Sequence, residues 1–105
     1  MIDVDKVLTE HMERIKKEYN LSDDVENEEL VLSDEDQIFY ICYKLHYWLN
    51  MNILNKVFMY FQLLSDYMKR VNPDFDKLDP SCQIIMTAAK YYVRGALRTK
   101  EVYNI

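Results

Sequence analysis

Cysteine and histidine are the residues of this chain that could bind a metal ion, and two of them are suitably spaced. Cys42 and His46 lie four residues apart in a segment with helical periodicity, so they would share one helix face. A zinc site needs three or four ligands, and nothing in the sequence brings His11, the second histidine, close to them. The pattern therefore favours a packed cysteine over a ligand, and we expect no metal and no cofactor.

The second cysteine, Cys82, also falls in an apolar helical pattern. The N-terminal sequence MIDVDKVLTE lacks the basic flank and apolar core of a secretory signal, and no run of 18 apolar residues occurs. We therefore expect an intracellular protein, cytoplasmic or nuclear, without membrane contact. In that reducing environment both cysteines are predicted to be small buried hydrophobic residues rather than disulfide partners.

Motifs for catalysis are absent from the sequence. The only glycine, Gly95, cannot form a glycine-rich phosphate loop, and no G-x-S-x-G, H-E-x-x-H or C-x-x-C motif occurs. Many carboxylates lie in the segment 20–33, where neither burial nor a fixed partner would adjust their pKa values for acid–base chemistry. The sequence therefore predicts that the protein has no catalytic residues and is not an enzyme.

Composition favours a single all-α domain over the 105 residues. Half of the residues are apolar and 13% are aromatic, as in folded globular domains. The chain has only one glycine and two prolines, which are too few for the many turns of an all-β fold. The 18 carboxylates outnumber the 13 lysines and arginines. Because binding to phosphates requires clustered cations, the net charge of −5 argues against direct nucleic-acid binding and favours a basic protein partner.

Apolar residues recur at three- and four-residue steps in four segments, which predicts a compact bundle of four main helices. Asp3, Ser33, Asn52 and Asp79 are predicted N-caps, and Gly95 is a predicted left-handed C-cap that leaves room for one more short helix. The predicted helices run over about 3-19, 34-49, 53-71 and 80-94, with an acidic linker at 20-33 and a helical core at 34-105.

The second predicted helix is apolar on nearly all sides. Such a helix either lies at the centre of the fold or is half covered by a partner. Tyrosines suit the second case, because a ring can be buried while its hydroxyl stays in water. The residues expected at the centre of the core are Ile41, Leu45, Phe58, Phe61, Ile85 and Ala89. The aromatic surface of the second helix comprises Phe39, Tyr40, Tyr43, His46 and Tyr47.

The linker at 20-33 holds five carboxylates and no cation. Two interpretations stay open for it: a soluble connector kept extended by charge repulsion, or an acidic docking strip for a basic partner. The carboxylates are Asp23, Asp24, Glu26, Glu28 and Glu29.

From about residue 33 to the end, the chain resembles the first three helices of a cyclin box, in a shortened form. The resemblance implies a helical subunit in which Lys90 meets the regulatory helix of a kinase, with Tyr91 beside it. It depends on the order and spacing of five short segments. These are Tyr47 to Asn50, Tyr60-Phe61 within Val57 to Leu64, Leu78-Asp79-Pro80, Ala88-Ala89-Lys90, and Leu97 to Val102.

Three hypotheses for function follow. The first is a noncatalytic cyclin-like subunit that holds a kinase or another helical partner, and the second is a small acidic helical inhibitor or adaptor, of the type found in phages and viruses. The third is a structural subunit of a larger assembly. The predicted partner-binding residues are Lys90, Tyr91, Tyr43 and Tyr47 for the first, and Asp23, Asp24, Glu28 and Glu29 for the second.

Overall fold

The computed structural model describes residues 3–20 and 32–103, with side chains through residue 98. The described part contains four α-helices and one short 3₁₀ turn, and no strand, which confirms the predicted all-α bundle. The helices are α1 (Val4–Glu18), α2 (Asp34–Met51), α3 (Leu54–Val71) and α4 (Pro80–Tyr103), and the 3₁₀ turn is Phe75–Lys77.

Three of the four predicted N-caps are confirmed. The Asp3 carboxylate accepts a hydrogen bond from the Lys6 backbone N–H at 3.1 Å, which closes the first turn of α1. The Ser33 hydroxyl accepts from the Asp36 N–H at 3.3 Å, and the Asp79 carboxylate accepts from the Ser81 N–H at 2.9 Å. Each short polar side chain thus satisfies a backbone donor that has no partner inside its helix.

The fourth predicted cap, Asn52, was wrong. Asn52 has φ 56° and ends α2, donating its backbone N–H to the Leu49 carbonyl at 3.1 Å. Asparagine tolerates this left-handed conformation better than most residues, and Asn72 ends α3 in the same way with φ 52°. Helix α2 therefore extends to Met51, two residues beyond the predicted end at residue 49. Helix α3 begins after Ile53, whose side chain forms no capping hydrogen bond.

The prediction that Gly95 ends the fourth helix was also wrong. Gly95 lies inside α4 with a helical, negative φ, and the helix continues to Tyr103 in place of a separate C-terminal helix. A glycine in a helix interior costs about 1 kcal/mol relative to alanine. The strong helix formers Ala96, Leu97 and Arg98 follow it directly, so the helix continues.

Helix α2 lies at the centre and packs against α1, α3 and α4. Helix α1 runs antiparallel to it, because Asp5 pairs with His46 at one end while Arg14 reaches Asp36 at the other. The apolar character of α2 on nearly all sides therefore reflects a central position in its own fold. Its aromatic residue Phe39 is only 4% exposed.

Helices α3 and α4 complete the up-and-down arrangement. The Tyr67 hydroxyl, near the end of α3, donates to the Asp34 carboxylate at the start of α2 at 2.7 Å. At the opposite end of the bundle, the Tyr92 hydroxyl of α4 donates to the Asn52 side-chain oxygen at 2.7 Å. Helix α3 is thus antiparallel to α2, and α4 is parallel to it.

The core is formed by the buried residues of α2, which lie on several sides of that helix, together with the apolar faces of α1, α3 and α4. Four of its predicted central residues, Ile41, Leu45, Ile85 and Ala89, are at most 3% exposed. Phe58 and Phe61 were placed at the centre wrongly, because both are half-buried on the flanks of α3. The smaller Val57 and Leu64 face the centre instead, at 0% and 2% exposed.

Candidate interaction surfaces

Lys90 and Tyr91 lie on the outer face of α4, and both are exposed. Tyr91 has the highest exposed fraction among the large exposed hydrophobic residues, 64%. The opposite face of the same helix carries Ile85, Ala89 and Val93, which are buried in the core. The orientation of α4 is therefore set by its apolar stripe, and this packing directs Lys90 and Tyr91 to solvent.

Two further cations extend this surface along α4. Lys90, Arg94 and Arg98 follow one another at four-residue steps, all are exposed, and none forms an ion pair within the described residues. Exposed apolar side chains lie beside them, namely Ile84 at 44% and Leu97 at 48%. We call the set of Ile84, Lys90, Tyr91, Arg94, Leu97 and Arg98 the α4 outer face.

The sequence already shows that cations are concentrated in the segment that forms the α4 outer face. All 18 carboxylates of the chain lie outside residues 80–100, a span that holds four lysines and arginines. The net charge of the whole chain does not reveal this segregation. The sequence-based prediction of a basic partner used the net charge of −5 and the acidic run at 20-33, but not the cations of this span.

The predicted tyrosines of α2, Tyr43 and Tyr47, differ in their exposure. Tyr43 is half-buried and packs against the core, whereas Tyr47 is 48% exposed. The Tyr47 ring meets Trp48 edge-on, with ring centroids 4.9 Å apart. No hydrogen bond, ion pair or ring contact among the described residues joins these tyrosines to Lys90 or Tyr91.

The acidic strip lies outside the described residues. The predicted partner-binding carboxylates there stay a prediction, as does the choice between a docking strip and a soluble connector. They are Asp23, Asp24, Glu28 and Glu29.

A polar cluster joins α1 to α2, and the sequence pattern did not predict it. Arg14 donates to the Asp36 carboxylate at 2.5 Å and to Glu18 at 2.8 Å. The Tyr19 hydroxyl donates to the other Asp36 oxygen at 3.1 Å. We call Arg14, Tyr19 and Asp36 the α1–α2 polar cluster.

The electrostatics of the polar cluster follow from these contacts. The hydrogen bond from Arg14 holds the pKa of Asp36 below its usual range, and the bond from Tyr19 acts in the same direction. Burial of Asp36, which is only 6% exposed, acts against them by disfavouring its charge. The same pairing raises the pKa of Arg14. The cluster is therefore a charged pair at physiological pH.

Cys42 and His46, the pair considered for metal binding, face different surroundings. Cys42 is buried beside Cys82. The hydrogen bond between the two thiols and the burial of Cys42 both raise the pKa of the Cys42 thiol. The His46 ring contacts the Asp5 carboxylate of α1 through Nε2. Both cysteines are free and buried, as predicted, and no group of three or more potential ligands occurs within the described residues.

Comparison with family models, curated proteins and solved structures found no match to this chain. The cyclin-box resemblance therefore stays a prediction. Within residues 3–20 and 32–103, every helix is too short or too polar to span a bilayer.

Proposed function

We propose that this protein is a noncatalytic interaction module that binds a protein partner through the α4 outer face. The observation that carries the proposal is the combination of exposed apolar and cationic side chains on one helix whose other face is packed. Tyr91 and Leu97 alternate there with Lys90, Arg94 and Arg98.

The residue types of the α4 outer face support a protein partner. Tyrosine and arginine are among the residues that contribute most to protein interfaces, because each provides a large contact area with polar groups attached. Tyr91 can be buried against a partner at a small cost in side-chain entropy. The cations next to it would accelerate association with an acidic surface.

The partner that fits this surface is a helical segment that carries apolar residues and carboxylates. Its carboxylates would pair with Lys90 and Arg94, which have no acidic partner within the described residues. A kinase is the narrower candidate, because the cyclin-box resemblance implies that Lys90 meets a kinase regulatory helix.

The test is affinity capture from nuclease-treated lysate with quantitative mass spectrometry. Three baits are compared: the natural chain, Lys90→Glu/Arg94→Glu, and the matched control Lys6→Glu/Lys69→Glu, whose two lysines are exposed on other helices. We expect a protein that is retained by the natural chain and the control but lost with the α4 variant. A captured set that is identical for all three baits would contradict the proposal.

The acidic-inhibitor hypothesis makes the opposite prediction. A fourth bait, with Asp23→Asn, Asp24→Asn, Glu28→Gln and Glu29→Gln together, should retain the same protein if the α4 outer face is the binding surface. If only this bait loses the protein, the acidic strip binds the partner instead, in a manner that weakens with salt.

A further inference from the structure

A cavity of about 240 Å³ lies at the end of the bundle where α2 and α4 begin and α3 ends. Its walls come from three helices and from the loop between α3 and α4. The α4 outer face shares no residue with this lining: α4 lines the cavity through the buried Cys82, whereas the residues of the α4 outer face are exposed. The cavity is therefore a separate site.

The apolar side chains that line the cavity are buried or half-buried, whereas three of its four charged side chains are exposed, so we describe the charged end as its mouth. The apolar lining is formed by Ile38, Phe39, Val71, Pro73, Leu78 and Cys82. The charged lining consists of three carboxylates and one cation, which leaves an excess of negative charge. They are Asp34, Glu35, Asp79 and Lys77.

Two of the three carboxylates are held in position by hydrogen bonds. One oxygen of Asp34 accepts from the Tyr67 hydroxyl at 2.7 Å. Burial, and next this contact, raise the pKa of Tyr67 to about 12. One oxygen of Asp79 accepts from the Ser81 N–H at 2.9 Å. A carboxylate has about four acceptor positions, so each keeps capacity for another donor.

The third carboxylate, Glu35, is exposed and has no partner within the described residues. It lies next to Asp34 in the first turn of α2. A cation at the mouth would therefore meet one unpaired carboxylate and two that are already oriented.

We propose that this cavity binds an arginine side chain of a protein partner, independently of the function proposed for the α4 outer face. Arginine has an apolar stem, which suits the lining of Ile38, Val71 and Leu78, and a cationic head that can stay at the acidic mouth. Its planar guanidinium has five donors and is weakly hydrated, so it can bond to more than one carboxylate at a small desolvation cost.

The size of the cavity also favours a single side chain. Pockets that hold drug-sized ligands and cofactors have volumes of roughly 300–1,000 Å³. This cavity, at about 240 Å³, is smaller than that range. The excess of carboxylates disfavours anionic ligands of any size, because they would be repelled at the mouth.

The test is a titration of the ¹⁵N-labelled chain, followed by NMR, with Nα-acetyl-arginine amide. The matched probe is Nα-acetyl-citrulline amide, which keeps the shape of arginine but has no charge. We expect saturable shifts at the amides of Glu35, Leu78 and Cys82 with arginine, and binding of citrulline weaker on the order of tenfold.

Two variants and a control localise the effect. Glu35→Gln should weaken arginine binding about two- to fivefold, and Lys77→Gln should strengthen it by a similar factor, the range of an exposed ion pair. Glu13→Gln makes the same charge change on an exposed position of α1 and should leave the affinity unchanged.

Three results would overturn the proposal. These are an absence of saturable shifts at the cavity amides, equal affinity for citrulline and arginine, or equal weakening by Glu35→Gln and Glu13→Gln. Because all three substituted side chains are exposed, an unchanged backbone spectrum of each free variant verifies that the fold is intact.

Discussion

The α1–α2 polar cluster and the α4 outer face contain the same kinds of charged residue in opposite situations. Arg14 and Arg94 each lie outside the apolar stripe of their helix, and both are exposed. Arg14 bonds to Asp36 on a neighbouring helix, whereas Arg94 has no ion-pair partner within the described residues. A helical pattern alone does not distinguish these arginines, since the difference depends on what lies across the helix interface.

The difference separates charges that stabilise the fold from charges that are available to a partner. Asp36 is nearly buried, so its charge requires the donors that Arg14 and Tyr19 provide. The cations of the α4 outer face have no such requirement, because water solvates them. Their removal should affect binding rather than folding, and the following predictions test this contrast.

Substitution of Asp36 by alanine should have the largest effect. It removes the shared partner of Arg14 and Tyr19, and we expect the free energy of unfolding to fall by about 1–3 kcal/mol. The measurement is urea denaturation at neutral pH, followed by circular dichroism. Glu35→Ala is the control, at an exposed neighbouring position, and should change the free energy of unfolding by less than about 0.5 kcal/mol. Equal losses for both variants would mean that the cluster does not stabilise the fold.

The contribution of the Asp36 charge should depend on pH. Its pKa is lowered in the folded protein, mainly by the hydrogen bond from Arg14, so its stabilisation is present above the unfolded pKa of about 4. That stabilisation is lost as pH falls through the folded pKa. The difference in unfolding free energy between the natural chain and Asp36→Asn should therefore be constant from about pH 5 to 7 and shrink below about pH 4. A difference that grows on acidification would contradict this assignment.

The smallest effect is expected from a matched pair of arginine substitutions. Arg14→Ala should lower the free energy of unfolding by about 1 kcal/mol, a modest loss because the Arg14 side chain is 40% exposed. Arg94→Ala should change it by less than about 0.5 kcal/mol. Urea denaturation of both variants under identical conditions provides the comparison. If Arg94→Ala is the more destabilising, the outer face of α4 contributes to the fold, and the contrast between the two regions fails.

Sequence reasoning was most successful where a structure depends on neighbours along the chain. Ser33 and Asp79 were recognised as N-caps because the side chain and the backbone donor are two or three residues apart. Asn52 was misassigned for an equally local reason. An asparagine between two helices can cap the start of the second helix or end the first. Asn52 has a left-handed backbone conformation, which ends the first helix.

The candidate surfaces were predicted less completely. Lys90 and Tyr91, named as partner-binding residues through the cyclin-box resemblance, are exposed, and their binding role stays a prediction. Tyr43 was assigned to the same surface, but its ring packs against the core. The cavity could not have been predicted, because its lining residues come from three helices and become neighbours only when the chain folds.

The sequence by itself determined the four helices, their apolar faces and two buried thiols, because periodicity and capping act within about four residues. Only the tertiary structure determined that α2 is central, that Arg14 pairs with Asp36, and that carboxylates gather at the mouth of the cavity. The decisive contacts join residues far apart in the chain: Arg14 and Asp36 are separated by 22 positions, and Tyr92 and Asn52 by 40. Such pairs depend on which helix faces meet, which no local pattern specifies.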